Sequence, residues 1–230
     1  MKLSAEQIEK LYQFTRQHYV EYYDLQTELV DHLANAIEEQ WQENPKISFE
    51  EALQKEFKKF GVFGFMNVVE QRQAAMNKKY NKIVWQHFKT FFTLPKIIGT
   101  GTLFLILIQL MLNFQFAHII IITLFLVSAL VFWIGIIKIA RKNKKQTRIS
   151  GKKWLFKDII YGYGSFGGLS YIPINIALQM SDKLQVHLIA SCIISAIVIS
   201  VILFNYIVLI IIPSKAEEYL QQTYPEYSFS

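Results

Sequence analysis

The residues best suited to chemistry stand together near the start of the chain. In "ELVDH", residues 28–32, Glu28, Asp31 and His32 place two carboxylates and an imidazole within five positions. Such a set suits metal binding or proton transfer. On a helix advancing about 100° per residue, Asp31 points away from the apolar stripe of Leu29 and Leu33. Glu28 and His32 lie one turn apart on the flank of that stripe, and Asn35 and Glu39 continue the same lane. Glu28 and His32 make only half of a metal site, and no further His or Cys lies nearby in the sequence. A charge-assisted pair along the helix surface accounts for them, so "ELVDH" reads as architecture rather than chemistry. The exposed lane of Asp31, Asn35, Glu38 and Glu39 is the expected contact surface for a protein partner.

The remaining reactive side chains are scattered. His118 and His187 fall at the ends of apolar runs, where a pair of imidazoles ligates haem or a metal or simply lies at the membrane–water interface. The single cysteine, Cys192, excludes an intrachain disulfide. No HExxH, phosphate-binding loop, GxSxG or CxxC motif occurs. "GYGSFGG", residues 162–168, has the glycines of a phosphate loop but follows no strand. The expectation is a non-enzymatic protein with no catalytic residues, no metal and no cofactor.

The elements that position these residues divide the chain in two. Residues 1–76 carry 8 Lys/Arg against 13 Asp/Glu, a net of −5; residues 77–230 carry 16 against 5, a net of +11. The mean hydropathy is +0.23 and 52% of residues are hydrophobic, with the excess concentrated after Ile97. Basic charge beside long apolar runs points to lipid headgroups and away from direct contact with nucleic acid, which needs a basic face on a folded domain. The opening "MKLSAEQIEKLYQF" is amphipathic and does not resemble a signal peptide.

Four stretches approach the roughly 20 apolar residues that cross a bilayer: about 97–114, 116–139, 159–180 and 186–212. The third carries four glycines and Pro173. Five lysines precede the first span, nine Lys/Arg fall in residues 138–157, and the other two connections hold only Lys183. Positive charge favours the cytoplasmic side. Both termini and the central basic loop are therefore expected in the cytoplasm of a bacterial inner membrane; 20 of 24 basic residues being lysine suggests a low-GC genome. Trp85, Trp133 and Trp154 are expected in the aromatic belt at span ends. Gly164 with Gly168, and Cys192 with Ala196 and Ser200, form small-residue stripes that let helices approach closely, either within one bundle or in a homodimer. Asn175 and Asn205 are expected to hydrogen-bond between helices. Asp158, at the cytoplasmic boundary beside Lys157, is the only candidate for an intramembrane charge, which weakens a transport reading.

The expected architecture is all-α: a cytoplasmic helical domain at 1–76, a basic connector helix at 77–96, four spans within 97–212 with a basic loop at 140–157, and a cytoplasmic tail at 213–230. In the first domain, Ser4 with Gln7 and Ser48 with Glu51 match capping boxes. Ile8, Leu11, Tyr12, Thr15 and Tyr19 form one apolar face, and Asn44-Pro45 ends the second helix. Gly61 suits the left-handed position after a third helix. The acidic domain is expected to rest against the basic 138–157 segment and to turn or release when the spans repack.

The stretch "ELVDHLANAIEEQWQENPKISFEEALQKEFKKFG" resembles HAAS-type domains, small α-helical signalling domains associated with helix-turn-helix regulators. It is also similar to the prefix domain that precedes some ABC-type permeases. The shared anatomy is Glu28 and His32 on one helix, Ser48, Glu50, Glu51 and Ala52 at the start of the next, and a closing Phe60-Gly61. The resemblance implies a cytoplasmic adaptor joined to a membrane sensor, with a PadR-like repressor as partner. The rival class is a transporter or an accessory permease subunit.

Overall fold

The computed structural model describes residues 2–114, 116–162, 188–224 and 226–227. Every regular element among them is helical: α1 Ala5–Gln17, α2 Tyr23–Glu43, α3 Phe49–Lys58, α4 Met66–Thr90, α5 Lys96–Asn113, α6 Ala117–Ser150, α7 Leu155–Tyr161, α8 Leu188–Tyr206 and α9 Ala216–Thr223. Between α8 and α9 the helix runs through a π-helical stretch, Ile207–Ile211, and an α turn, Ile212–Ser214. The chain forms two compact units, Met1–Met76 with Thr147–Asp158, and Asn77–Gln146 with Ile159–Ser230.

The first unit is built by capping and by one apolar core. Ser4 and Gln7 form a reciprocal capping box: the Gln7 N–H donates to the Ser4 hydroxyl at 3.3 Å, and the Ser4 N–H to the Gln7 side chain at 2.8 Å. At α3 only half of the box forms, with the Glu51 N–H donating to Ser48 Oγ at 3.2 Å. Leu11, Leu25, Leu29, Leu33, Ile37, Ala52 and Leu53 fill the core between α1, α2 and α3. An aromatic cluster of Phe14, His18, Phe57, Phe60 and Phe65 closes one end. Tyr19 does not continue the apolar face of α1. It adopts φ 65° and is 79% exposed, and Val20 is buried instead. The Val20 N–H donates to the Thr15 carbonyl at 3.1 Å, so the left-handed residue reverses the chain and swaps which side chain faces inward.

The second unit is organised differently. Lys96–Asn113, Ile119–Ser150 and Leu188–Ser214 are three helices long and apolar enough to cross a membrane. Leu107 and Met111 of α5, Ile121 and Phe125 of α6, and Ile194, Val198 and Leu203 of α8 form their shared core. Asn205 Nδ2 donates to Ser128 Oγ at 2.7 Å and to its carbonyl at 3.1 Å, the interhelical bond expected of it. Gly135 on α6 makes room for Leu209: an added Cβ would lie 2.7 Å from a Leu209 methyl.

Two boundaries differ from the sequence reading. The basic segment after residue 140 is not a loop, because α6 continues to Ser150; "RKNKKQTR" holds no glycine or proline and its long side chains favour helix. The turn comes at Gly151, with φ 67°. The connector helix α4 ends at Thr90, before Pro95. The third expected span begins in α7, and its body, residues 163–180, lies outside the described residues, as do Gly164, Gly168, Pro173, Asn175 and His187.

Candidate functional site

The residues of "ELVDH" do not pair with one another. Glu28 pairs with Arg72 of α4, whose guanidinium stays charged at any physiological pH. His32 Nε2 lies 3.7 Å from Glu56 Oε1 on α3, with its ring edge against Phe60. Glu56 is buried, and Lys59 Nζ lies 2.6 Å from its carboxylate. Lys59 supplies the countercharge that a buried carboxylate needs, His32 lies beside it, and the same-helix pair is replaced by two ties to other helices. In the exposed lane, Asp31, Asn35 and Glu39 face outward. Glu38 is half-buried and accepts the Leu3 N–H at 2.9 Å. Among the described residues, no three His, Cys, Asp or Glu side chains gather to hold a metal.

The most elaborate polar arrangement of the first unit lies at the N-terminus of α2, where residues 152–158 dock. The first N–H groups of a helix lack partners within it, and Tyr22 supplies no side-chain cap. The Tyr23 N–H instead donates to the Lys153 carbonyl at 2.7 Å. One residue on, the buried Asp24 carboxylate accepts the Leu155 N–H at 3.1 Å. Leu155 opens α7, so Asp24 caps that helix from across the unit, in the position where negative charge is most favourable. Trp154, Leu155 and Phe156 are almost completely buried, with Trp154 edge-on to Tyr23 at 5.3 Å.

Charge encloses this apolar plug. Lys153 Nζ lies 2.8 Å from Glu21 and 3.7 Å from Asp158. Burial lowers the affinity of Lys153 for its proton, but the Glu21 hydrogen bond and the charges around it outweigh burial and leave its pKa raised. Burial raises the pKa of Tyr22, whose hydroxyl donates to Asp158 at 3.5 Å. Lys152 and Lys153 stand 4.6 and 4.7 Å from the Tyr23 and Tyr22 ring centres, within cation–π range. The arrangement holds residues 152–158 of the same chain by two main-chain hydrogen bonds, an aromatic–apolar plug and a lysine.

Sequence reasoning missed Glu21, Tyr22, Tyr23 and Asp24 as a receptor. The signal was the complementarity of "EYYD" and "KKWLF", acids and rings against lysines and apolar bulk. Trp154 is not in an aromatic belt but in the core of the first unit, because Gly151 ends α6 and turns the chain. Trp85 and Trp133 are exposed on the second unit. On α8, Cys192 and Ser200 are half-buried and Ala196 is exposed. The buried small residues are Ser191 and Ser195, one position earlier, and Ser195 Oγ meets Met111 S at 3.7 Å.

No family model matches the chain, and no curated protein or solved structure is similar enough to it to count as a match.

Proposed function

We propose that the chain is a non-enzymatic membrane regulatory protein whose N-terminal helical domain works as a peptide-capturing module. The observation that carries this reading is the seating of Lys152–Phe156 on Glu21–Asp24. The captured segment lies in sequence between two apolar stretches, 116–139 and 159–180. A shift in those stretches therefore pulls on the captured peptide through the chain itself. A two-state element of this kind needs a gap of only a few kcal/mol. In our reading the chain crosses a bacterial cytoplasmic membrane four times, with both termini and residues 140–157 in the cytoplasm, as the Lys/Arg distribution favours. A cytosolic protein reads the domain through Asp31, Asn35, Glu38 and Glu39. The HAAS-like pattern of Glu28, His32, Ser48, Glu51, Phe60 and Gly61 makes a PadR-like regulator the first partner to test.

A photo-crosslinking residue at Asn35 in the full-length protein, in cells, tests the reading. Wild type and a Leu155→Asp variant, which ejects the plug, are expected to give different cytosolic adducts. The same adducts in both, or none in either, would reduce the membrane part to an anchor. Cysteine reporters at Gln115, Gln146 and Gln185 in a Cys192→Ala background test the orientation. Labelling of Gln146 by an impermeant reagent added outside intact cells would overturn it.

A second reading, an accessory subunit of a permease, draws on the π-helical stretch at Ile207–Ile211, since such interruptions often mark functional sites. Co-purification with an ATPase would favour it.

A further inference from the structure

The C-terminal half of α4 has two opposite faces. On one, Tyr80 and Val84 are buried, Lys79 Nζ donates to Thr223 Oγ1 at 2.7 Å, and His87 Nε2 meets the Tyr219 hydroxyl at 2.7 Å. That face is therefore taken by α9. On the other face, Lys78, Lys82, Trp85 and Lys89 recur at four, three and four residues, which confines them to an arc of about 60°. All four are exposed, Trp85 by 51%. Among the described residues no carboxylate pairs with any of the three lysines. Lys89 Nζ stands 5.7 Å from the Trp85 ring centre.

We propose that this stripe binds the headgroups of anionic phospholipids. Three observations select that occupant. The charge is uniformly positive and unneutralised, which suits phosphate-bearing headgroups. An exposed tryptophan stands in the middle of the stripe, and its amphipathic ring favours the headgroup level of a bilayer. The chain then continues through exposed Phe92, Leu94 and Ile98 into α5, the first of the membrane-length apolar helices, which keeps the stripe next to the bilayer surface. An acidic protein would meet the lysines equally well but leaves that apolar continuation unexplained. Three lysines, each contributing about fivefold near an anionic surface, together favour anionic over neutral lipid by about a hundredfold at low salt. The effect falls as salt rises.

The proposal rests on the membrane reading above, and its test separates the two. The full-length protein, with Cys192→Ala and a fluorophore on Asn81→Cys, is reconstituted in phosphatidylcholine vesicles with or without one-third phosphatidylglycerol. Nitroxide-labelled versions of each lipid report which one neighbours the stripe. A preference for phosphatidylglycerol that is lost in K78Q/K82Q/K89Q and kept in K78R/K82R/K89R supports the site. Equal quenching by both lipids overturns it. A fluorescence change reproduced by inorganic phosphate with phosphatidylcholine alone would make it a soluble-anion site and also overturn it. Extraction of the wild-type chain from vesicles by alkaline carbonate would instead refute the membrane reading itself.

Discussion

The two units place apolar side chains by opposite rules. In the first, most large apolar residues turn inward, and Leu11, Leu33, Ile37, Leu155 and Phe156 are essentially without exposed surface. In the second, only 11%, 28% and 33% of the most apolar windows of the three long helices are buried. Leu105, Leu130, Ile134 and Ile189 stand largely exposed. An apolar surface of that extent is not stable in water, and the three helices that carry it are long and apolar enough to cross a membrane. Apolar run length already separates the two regions in the sequence; the direction in which side chains of one type point shows how each unit places them.

The contrast is broken most easily at the core of the first unit. Phe156→Ala is expected to cost about 3–5 kcal/mol in the first unit, read as accelerated proteolysis between residues 144 and 153 of the full-length protein. A fragment of residues 1–76 lacks the plug, and adding a peptide of residues 147–158 is expected to raise its melting temperature. An unchanged melting temperature would mean that the core closes without the plug.

A paired substitution sharpens the contrast next. Leu130→Asp, at a site 62% exposed on α6, is expected to cost about 2.5–3.5 kcal/mol of membrane insertion. Val62→Asp, 98% exposed in the first unit, is expected to stay within about 0.5 kcal/mol of wild type. Equal effects at the two sites would mean that they face the same solvent. Asp24→Ala comes after these. It leaves a buried N–H uncapped at Leu155, at about 1–3 kcal/mol, and hydrogen exchange at Leu155 measures it.

The smallest effect is a pH dependence in the second unit. Burial, with Lys215 and Lys96 nearby, lowers the pKa of His87, and Glu218 opposes them. The folded chain thus binds this proton less readily than the unfolded one. The contribution of the neutral imidazole is complete above about pH 6.5 and declines as pH falls through 6.5 toward the lower folded value. Exchange protection along α9 should weaken on acidification in wild type and not in His87→Gln.

Much of this was legible in the sequence where local rules decide. The Ser4–Gln7 cap, the start of α3 at Phe49 and the positive φ of Gly61 follow from residue type and spacing. The apolar stretches read at about 97–114, 116–139 and 186–212 follow from run length, and a long apolar helix runs through each. What failed was long-range choice. Glu28 and His32 each had a suitable partner one turn away and took others on α4 and α3, because a fixed charge and a buried carboxylate outbid a surface pair. The docking of Trp154 was hidden because its receptor lies some 130 residues earlier, and no periodicity links the two segments.

The π-helical stretch at Ile207–Ile211 works like one residue slipped into a screw thread. Pro213 follows it and cannot donate to a carbonyl one turn back, and the wider π turns absorb that break without ending the helix. Each added residue rotates everything downstream by about 100°. Upstream, Ile194, Val198 and Leu203 pack in the core shared with α5; downstream, Ile212, Ala216 and Leu220 are the buried set. Deleting a single residue from the stretch would wind the thread back, turn Tyr219 and Thr223 away from His87 and Lys79, and leave the apolar composition of the span almost untouched.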